Sequence, residues 1–126
     1  MTKLEDIDKD SLNMNIAEWF GWSELGKVPM GNGRYVAMGE SPRGHFIEVP
    51  DYTSDDTLAL LIAKKLKTDK GYGVILEIGE CDVAICRLHG TEDSDWYEGS
   101  GKTLAEAICL AWLRESLDEG VYHDGQ

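Results

Sequence analysis

Long apolar runs, basic residues and cysteines are all scarce in this 126-residue chain. The longest apolar stretch, Leu58 to Ala63, falls far short of the roughly 20 residues a membrane helix needs. Met1 to Asp10 is acidic and holds no apolar segment of the secretory kind, so the expected location is the cytoplasm. Three cysteines, odd in number and irregularly spaced, fit free thiols in a reducing compartment better than a disulfide scaffold. Lys and Arg number 12 against 24 Asp and Glu, a formal net charge of −12. That balance argues against direct contact with nucleic acid or anionic membranes, where cations must neutralise phosphates. It suits solubility and partners with a basic surface.

What is present is core material. Apolar residues make up 42% of the chain, too many for a disordered segment. At this length the expectation is one domain over residues 1–120, followed by a frayed acidic tail at 121–126.

Leu4, Ile7, Leu12, Ile16, Trp19 and Phe20 recur at helical intervals, predicting a first helix within Leu4 to Phe20 with Gly21 as its left-handed cap. Pro29, Gly31, Asn32 and Gly33 predict a loop over Lys27 to Arg34. Arg34 to Met38 and His45 to Val49 read as short strands joined by Gly39 to Gly44. Thr53 and Asp56 fit a capping box that opens a second helix, with Leu58, Leu61, Ile62 and Leu66 as its buried stripe. Tyr72 to Ile78 and Val83 to Leu88 read as a hairpin turning at Gly79 to Asp82, and Trp96 to Glu98 as a third short strand. Thr103 and Glu106 form a second capping box, opening a helix that closes at Gly120.

Gly99-Ser100-Gly101-Lys102-Thr103 has the ending of a phosphate-binding P-loop. The full pattern needs Gly where this chain has Trp96, and no acidic metal ligand on a later strand follows. The string reads instead as a flexible turn and a helix cap, with Lys102 exposed and holding no phosphate. Exposed aromatics stack on ligands, so Trp96 and Tyr97 join Gly99, Gly101, Lys102 and Thr103 as a candidate ligand-binding set. Against that, Trp19, Trp96 and Trp112 read as core. No metal site is expected: Cys81, Cys86, Cys109, His45, His89 and His123 are scattered. No Gly-x-Ser-x-Gly elbow exists, and Asp93 and Asp95 read as solvated surface. No catalytic residue and no cofactor are expected.

Four segments carry a resemblance: Ile16 to Trp22 with its Gly-Trp ending, Val49 to Asp55 with Pro-x-Tyr-x-x-Asp, the paired strands Gly73 to Arg87, and Gly101 to Cys109 with Gly-x-Thr-x-x-Glu-Ala-Ile-Cys. In this order they resemble the phage ABA sandwich domain family. Leu60 and Leu61 depart from it, since relatives often carry a Trp in that helix. The resemblance implies an α+β fold, a three-layer α/β/α sandwich with a small mainly antiparallel sheet flanked by helices. It also implies a phage or prophage accessory protein in the bacterial host cytoplasm, and it transfers no catalytic residue. The expected function is non-enzymatic binding of a host or phage protein with a basic surface, in host takeover or counter-defence. Self-association stays open. The alternative is a counter-defence protein that sequesters a small signalling nucleotide.

Overall fold

Asp8 starts the first helix. In the computed structural model, which describes residues 7–90 and 96–120, its carboxylate accepts from the Asp10 N–H at 3.1 Å. The Ser11 hydroxyl and the Lys27 ammonium also donate to it, each at 2.9 Å. The Lys27 hydrogen bond leads in holding the Asp8 carboxyl below its usual range. Helix α1 therefore spans Lys9–Trp19, starting later than the first predicted apolar position; Leu4 lies outside the described residues. Gly21 follows it at φ +101°, and the Trp22 and Gly21 N–H groups donate to the Ala17 and Glu18 carbonyls. That paired pattern closes a helix with a left-handed residue.

Most of the segment predicted as a loop, Lys27 to Arg34, is strand, and only Asn32-Gly33 is a turn. β1 runs Ser23–Gly31 and pairs antiparallel with β2, Arg34–Glu40, across the two-residue turn Asn32-Gly33. Both turn residues have positive φ, as the tight turn of a twisted hairpin requires. Pro29 is tolerated because β1 is an edge strand, where a missing N–H costs no ladder bond. β3 is the short segment Phe46–Glu48, paired with the end of β2.

Helix α2 spans Asp56–Lys70, and its cap corrects the prediction. Asp55, not Thr53, accepts from the Leu58 N–H at 3.1 Å. The helix begins at residue 56, so Asp55 is the adjoining residue, and Thr53 is buried two positions earlier. The buried stripe is Ala59, Ile62, Ala63 and Leu66; Leu61 is 48% exposed. β4, β5 and β6 are Gly73–Ile78, Ala84–His89 and Trp96–Gly101, an antiparallel sheet in chain order. Helix α3, Leu104–Glu119, ends on Gly120 at φ +75°. It packs on β6 and β5, while α2 packs on α3 and β4.

The fold is α+β, with three α-helices and two three-stranded antiparallel sheets among the described residues, rather than one sheet. The described chain divides into two compact units, with the boundary along the sequence between Asp51 and Tyr52. Each three-strand meander is followed along the chain by a helix. In the C-terminal unit Trp112 is fully buried, among Ile62, Leu66, Leu88, Ile108 and the other buried side chains. Among the described residues no helix is long and apolar enough to cross a membrane. The predicted tail at 121–126 lies outside them.

Candidate functional site

Strand β6 and the start of α3 carry the whole candidate ligand-binding set. The string Gly99-Ser100-Gly101 belongs to the strand and is no flexible turn. A Cβ added at Gly99 would lie 2.3 Å from the Ala107 carbonyl oxygen and 2.4 Å from the Ala111 nitrogen. One at Gly101 would lie 2.6 Å from the Glu106 Cβ. Both glycines exist because β6 runs against the backbone of α3, a close approach that side chains would block.

The first turn of α3 is already supplied with acceptors. Thr103 caps it, its hydroxyl accepting from the Glu106 N–H at 3.1 Å. The Glu106 carboxylate reaches back one residue beyond the cap, to the Lys102 N–H at 3.0 Å. Asp56 accepts from the Ala105 N–H at 2.9 Å, so the residue predicted to cap α2 serves α3 instead. A shallow depression of about 340 Å³ beside Lys102 is lined by the carboxylates of Asp56 and Asp82. Two carboxylates thus occupy the N–H groups that a phosphate would use, and their charge opposes an anion. Thr103→Ala should lower stability by about 0.5–2 kcal/mol, the range for a lost cap. Lys102, exposed, should be replaceable by Ala within about 0.5 kcal/mol. Denaturant midpoints of both variants check this.

Because successive side chains alternate, Gly99 facing α3 sends Tyr97 and Gly101 to the same side and Trp96, Glu98 and Ser100 to the open face. The predicted core residue Trp96 is accordingly 55% exposed. Its indole stacks on the His89 ring, centroids 5.2 Å apart and planes 30° apart. His89 is also the cross-strand partner of Gly73, and a Cβ there would sit 2.3 Å from the imidazole Cε1. Glycine at 73 leaves the room in which the imidazole lies. In the next row Arg87 pairs with both neighbours' carboxylates, Glu77 on β4 and Glu98 on β6, the latter at 2.8 Å. Ile75 beside it is partly exposed. These residues form a flat face with an aromatic ledge at one end and a carboxylate–guanidinium–carboxylate ladder across it.

The six candidate residues do not converge. Trp96 and Lys102 stand six residues apart along an extended segment, about 20 Å. Trp96 and Tyr97 do share a shallow depression of about 550 Å³ with Arg114, Leu117 and Asp118. There the Tyr97 hydroxyl donates to Asp118, and the Arg114 guanidinium donates to the Glu98 carbonyl. Sequence reasoning missed His89, Arg87, Glu77 and Glu98. Their signal was period two: Arg87 and His89 alternate with the buried Ala84, Cys86 and Leu88, while Glu77 and Glu98 sit opposite Ile85 and Arg87 of the same outward set.

Beneath this sheet lies a buried ion pair. Glu115 is fully buried and accepts from the Lys70 ammonium at 2.8 and 3.0 Å and from the Tyr72 hydroxyl at 3.1 Å. Tyr72 meets Tyr97 edge to face, centroids 6.2 Å apart. Burial, then the nearby Glu115 charge, push the Tyr72 phenol well above its usual range. Burial raises Tyr52 to about 12. The stability Tyr52 contributes is whole below its unfolded value of about 10 and is lost as pH climbs through about 12.

Among the described residues no group of three or more His, Cys, Asp or Glu side chains could hold a metal ion. Asp93, Asp95 and His123 lie outside them. Cys86 and Cys109 are buried, and Cys81 is exposed in the turn before β5. Burial pushes the Cys86 thiol up to about 12, and the Cys109 thiol donates to the Tyr52 carbonyl. At about pH 8 a thiol reagent should therefore label Cys81 alone until the chain is unfolded, because the thiolate is the reactive form. Mass mapping of the labelled sites reads this directly; fast labelling of Cys86 or Cys109 in the native protein would contradict it. No family model matches the chain, and no curated protein or solved structure matches it either.

Proposed function

We propose that this chain is a non-enzymatic binding protein that docks a partner with a basic surface on the open face of the β4-β5-β6 sheet. One observation carries the reading: Trp96 is left more than half exposed, on a sheet whose other side buries Ala84, Cys86 and Leu88 in the core. An indole face attracts a Lys or Arg head group, and exposed aromatic anchors dominate binding at interfaces. His89, its cross-strand neighbour, stacks on the ring, which limits the entropy lost on docking. Glu77 and Glu98 flank the face, and the net charge of −12 would speed the approach of a basic partner. In the same reading the partner is a host or phage protein and the role host takeover or counter-defence, as the resemblance to phage ABA sandwich proteins implies. The nucleotide-sequestering alternative has less support, since Trp96 and Lys102 stand at opposite ends of β6 and the α3 N–H groups are occupied.

The test is capture from bacterial lysate at physiological salt with the wild type and Trp96→Ala side by side. The variant should lose at least about tenfold in affinity for the partner, as interface anchors do. Its stability should fall by no more than about 1.5 kcal/mol, the value of an aromatic stack. Binding should weaken as salt rises. No specific partner, or a partner that binds the variant equally well, would remove the proposal.

A further inference from the structure

The N-terminal unit has a cavity of its own, with a volume of about 340 Å³. Helix α1 contributes Lys9, Asp10 and Asn13, strand β2 contributes Arg34 and Tyr35, and Glu48 stands at the end of β3. Several charged side chains among the described residues are paired: Lys27 with Asp8, Lys65 with Asp69, Lys70 with Glu115, Arg87 with Glu77 and Glu98. Lys9, Arg34, Asp10 and Glu48 form no ion pair with one another or with any other described residue, although all four line one cavity. Charges of both signs are therefore held apart around a shared space.

The floor of this space is polar and fixed. Asn13 is only 5% exposed, and its amide donates to the Asp51 carboxylate, which also lines the cavity, at 3.1 Å. At the rim Tyr35 is 60% exposed and offers a ring face.

A simple anion entering here would meet Arg34 and Lys9 but also three carboxylates. A simple cation would meet the carboxylates but also the two basic groups. A molecule bearing both charges can satisfy both sets at once. Arg34 suits a carboxylate, which its guanidinium can grip with two parallel bonds. Asp10 and Glu48 suit an ammonium. The volume lies at the lower end for small-molecule sites, which matches one amino acid or a very short peptide.

We propose that this cavity binds a small zwitterion of the amino-acid class, with its carboxylate on Arg34 and its ammonium toward Glu48 and Asp10. The site is separate from the Trp96 face and does not depend on the function proposed for it.

Calorimetric titration of the full chain with L-phenylalanine, L-leucine and glycylglycine tests this, alongside the half-molecules phenethylamine and 3-phenylpropionate. At least one zwitterion should bind, roughly tenfold or more tighter than either half-molecule, because each half leaves one set of charges unmet. Arg34→Gln and Glu48→Gln should each weaken that binding about tenfold. Both positions are exposed, so the variants should keep the wild-type denaturant midpoint. Tyr35→Ala provides a further variant that leaves the charges intact and should weaken phenylalanine more than glycylglycine. Three results would overturn the proposal: no zwitterion binding at concentrations up to about 10 mM, half-molecules that bind as well as the zwitterion, or charge variants that bind like the wild type.

Discussion

Gly99→Ala should destabilise the chain by about 3 kcal/mol, the upper end for forcing a methyl group into a full site. The added carbon would sit 2.3 Å from the Ala107 oxygen and 2.4 Å from the Ala111 nitrogen. Both atoms are helix backbone, so relief requires β6 and α3 to move apart along their contact. That would open space beside Trp112, Cys86 and Leu88, which are fully buried. Gly73→Ala offers the contrast. Its obstacle is the end of the His89 ring, which can rotate away, so its cost should be clearly smaller. Urea midpoints for the two variants decide the matter. Equal, small effects would mean that β6 does not press on α3 as described.

Glu115→Ala should cost about 3–5 kcal/mol, the range for breaking a buried ion pair from one side. The loss leaves the Lys70 ammonium and the Tyr72 hydroxyl without their acceptor. The Lys70 side chain is 24% exposed while Glu115 has no exposure, so the stranded ammonium can regain some water and the lower end is expected. Glu115→Gln keeps the shape and one acceptor oxygen and should fall between wild type and Ala. Chemical denaturation of the three proteins gives the series. A Glu115→Ala variant as stable as the wild type would show that hydrophobic packing alone holds α3 to the end of α2.

Local rules were enough to read the helices of the C-terminal unit. Thr103 and Gly120 stand at the two ends of α3, and β4 and β5 followed from alternation around a short turn. The misreadings trace to particular residues. β1 has Gly26, Pro29 and Gly31 and is mostly exposed on both faces, so no period of two could reveal it. The Asn32-Gly33 pair was its one signal, because a two-residue turn of that type demands strands on both sides. In α2 hydropathy pointed to Leu61, whereas Ala59 and Ala63 face inward; small side chains let the helix approach closely. Trp96 looked like core by size alone. Its direction was set three residues away: Gly99 must face α3, and strand parity then turns Trp96 outward. The P-loop-like string misled in the same way. Its glycines answer to a strand–helix contact and its Thr to a cap, neither of which the string itself distinguishes from phosphate binding. The cavity charges of the N-terminal unit come from separate elements that only the fold brings together.

Residues 99–103 form a joint between β6 and α3, and acidic side chains fill the anion-binding positions. Calorimetric titration of the wild type with ATP, GTP and inorganic phosphate at physiological salt tests this most directly. The expected result is no binding up to about 1 mM, with Lys102→Ala indistinguishable from wild type. Binding by the wild type that disappears in Lys102→Ala would contradict the account, because it would require an anion to displace Glu106 and Asp56 from the first turn of α3.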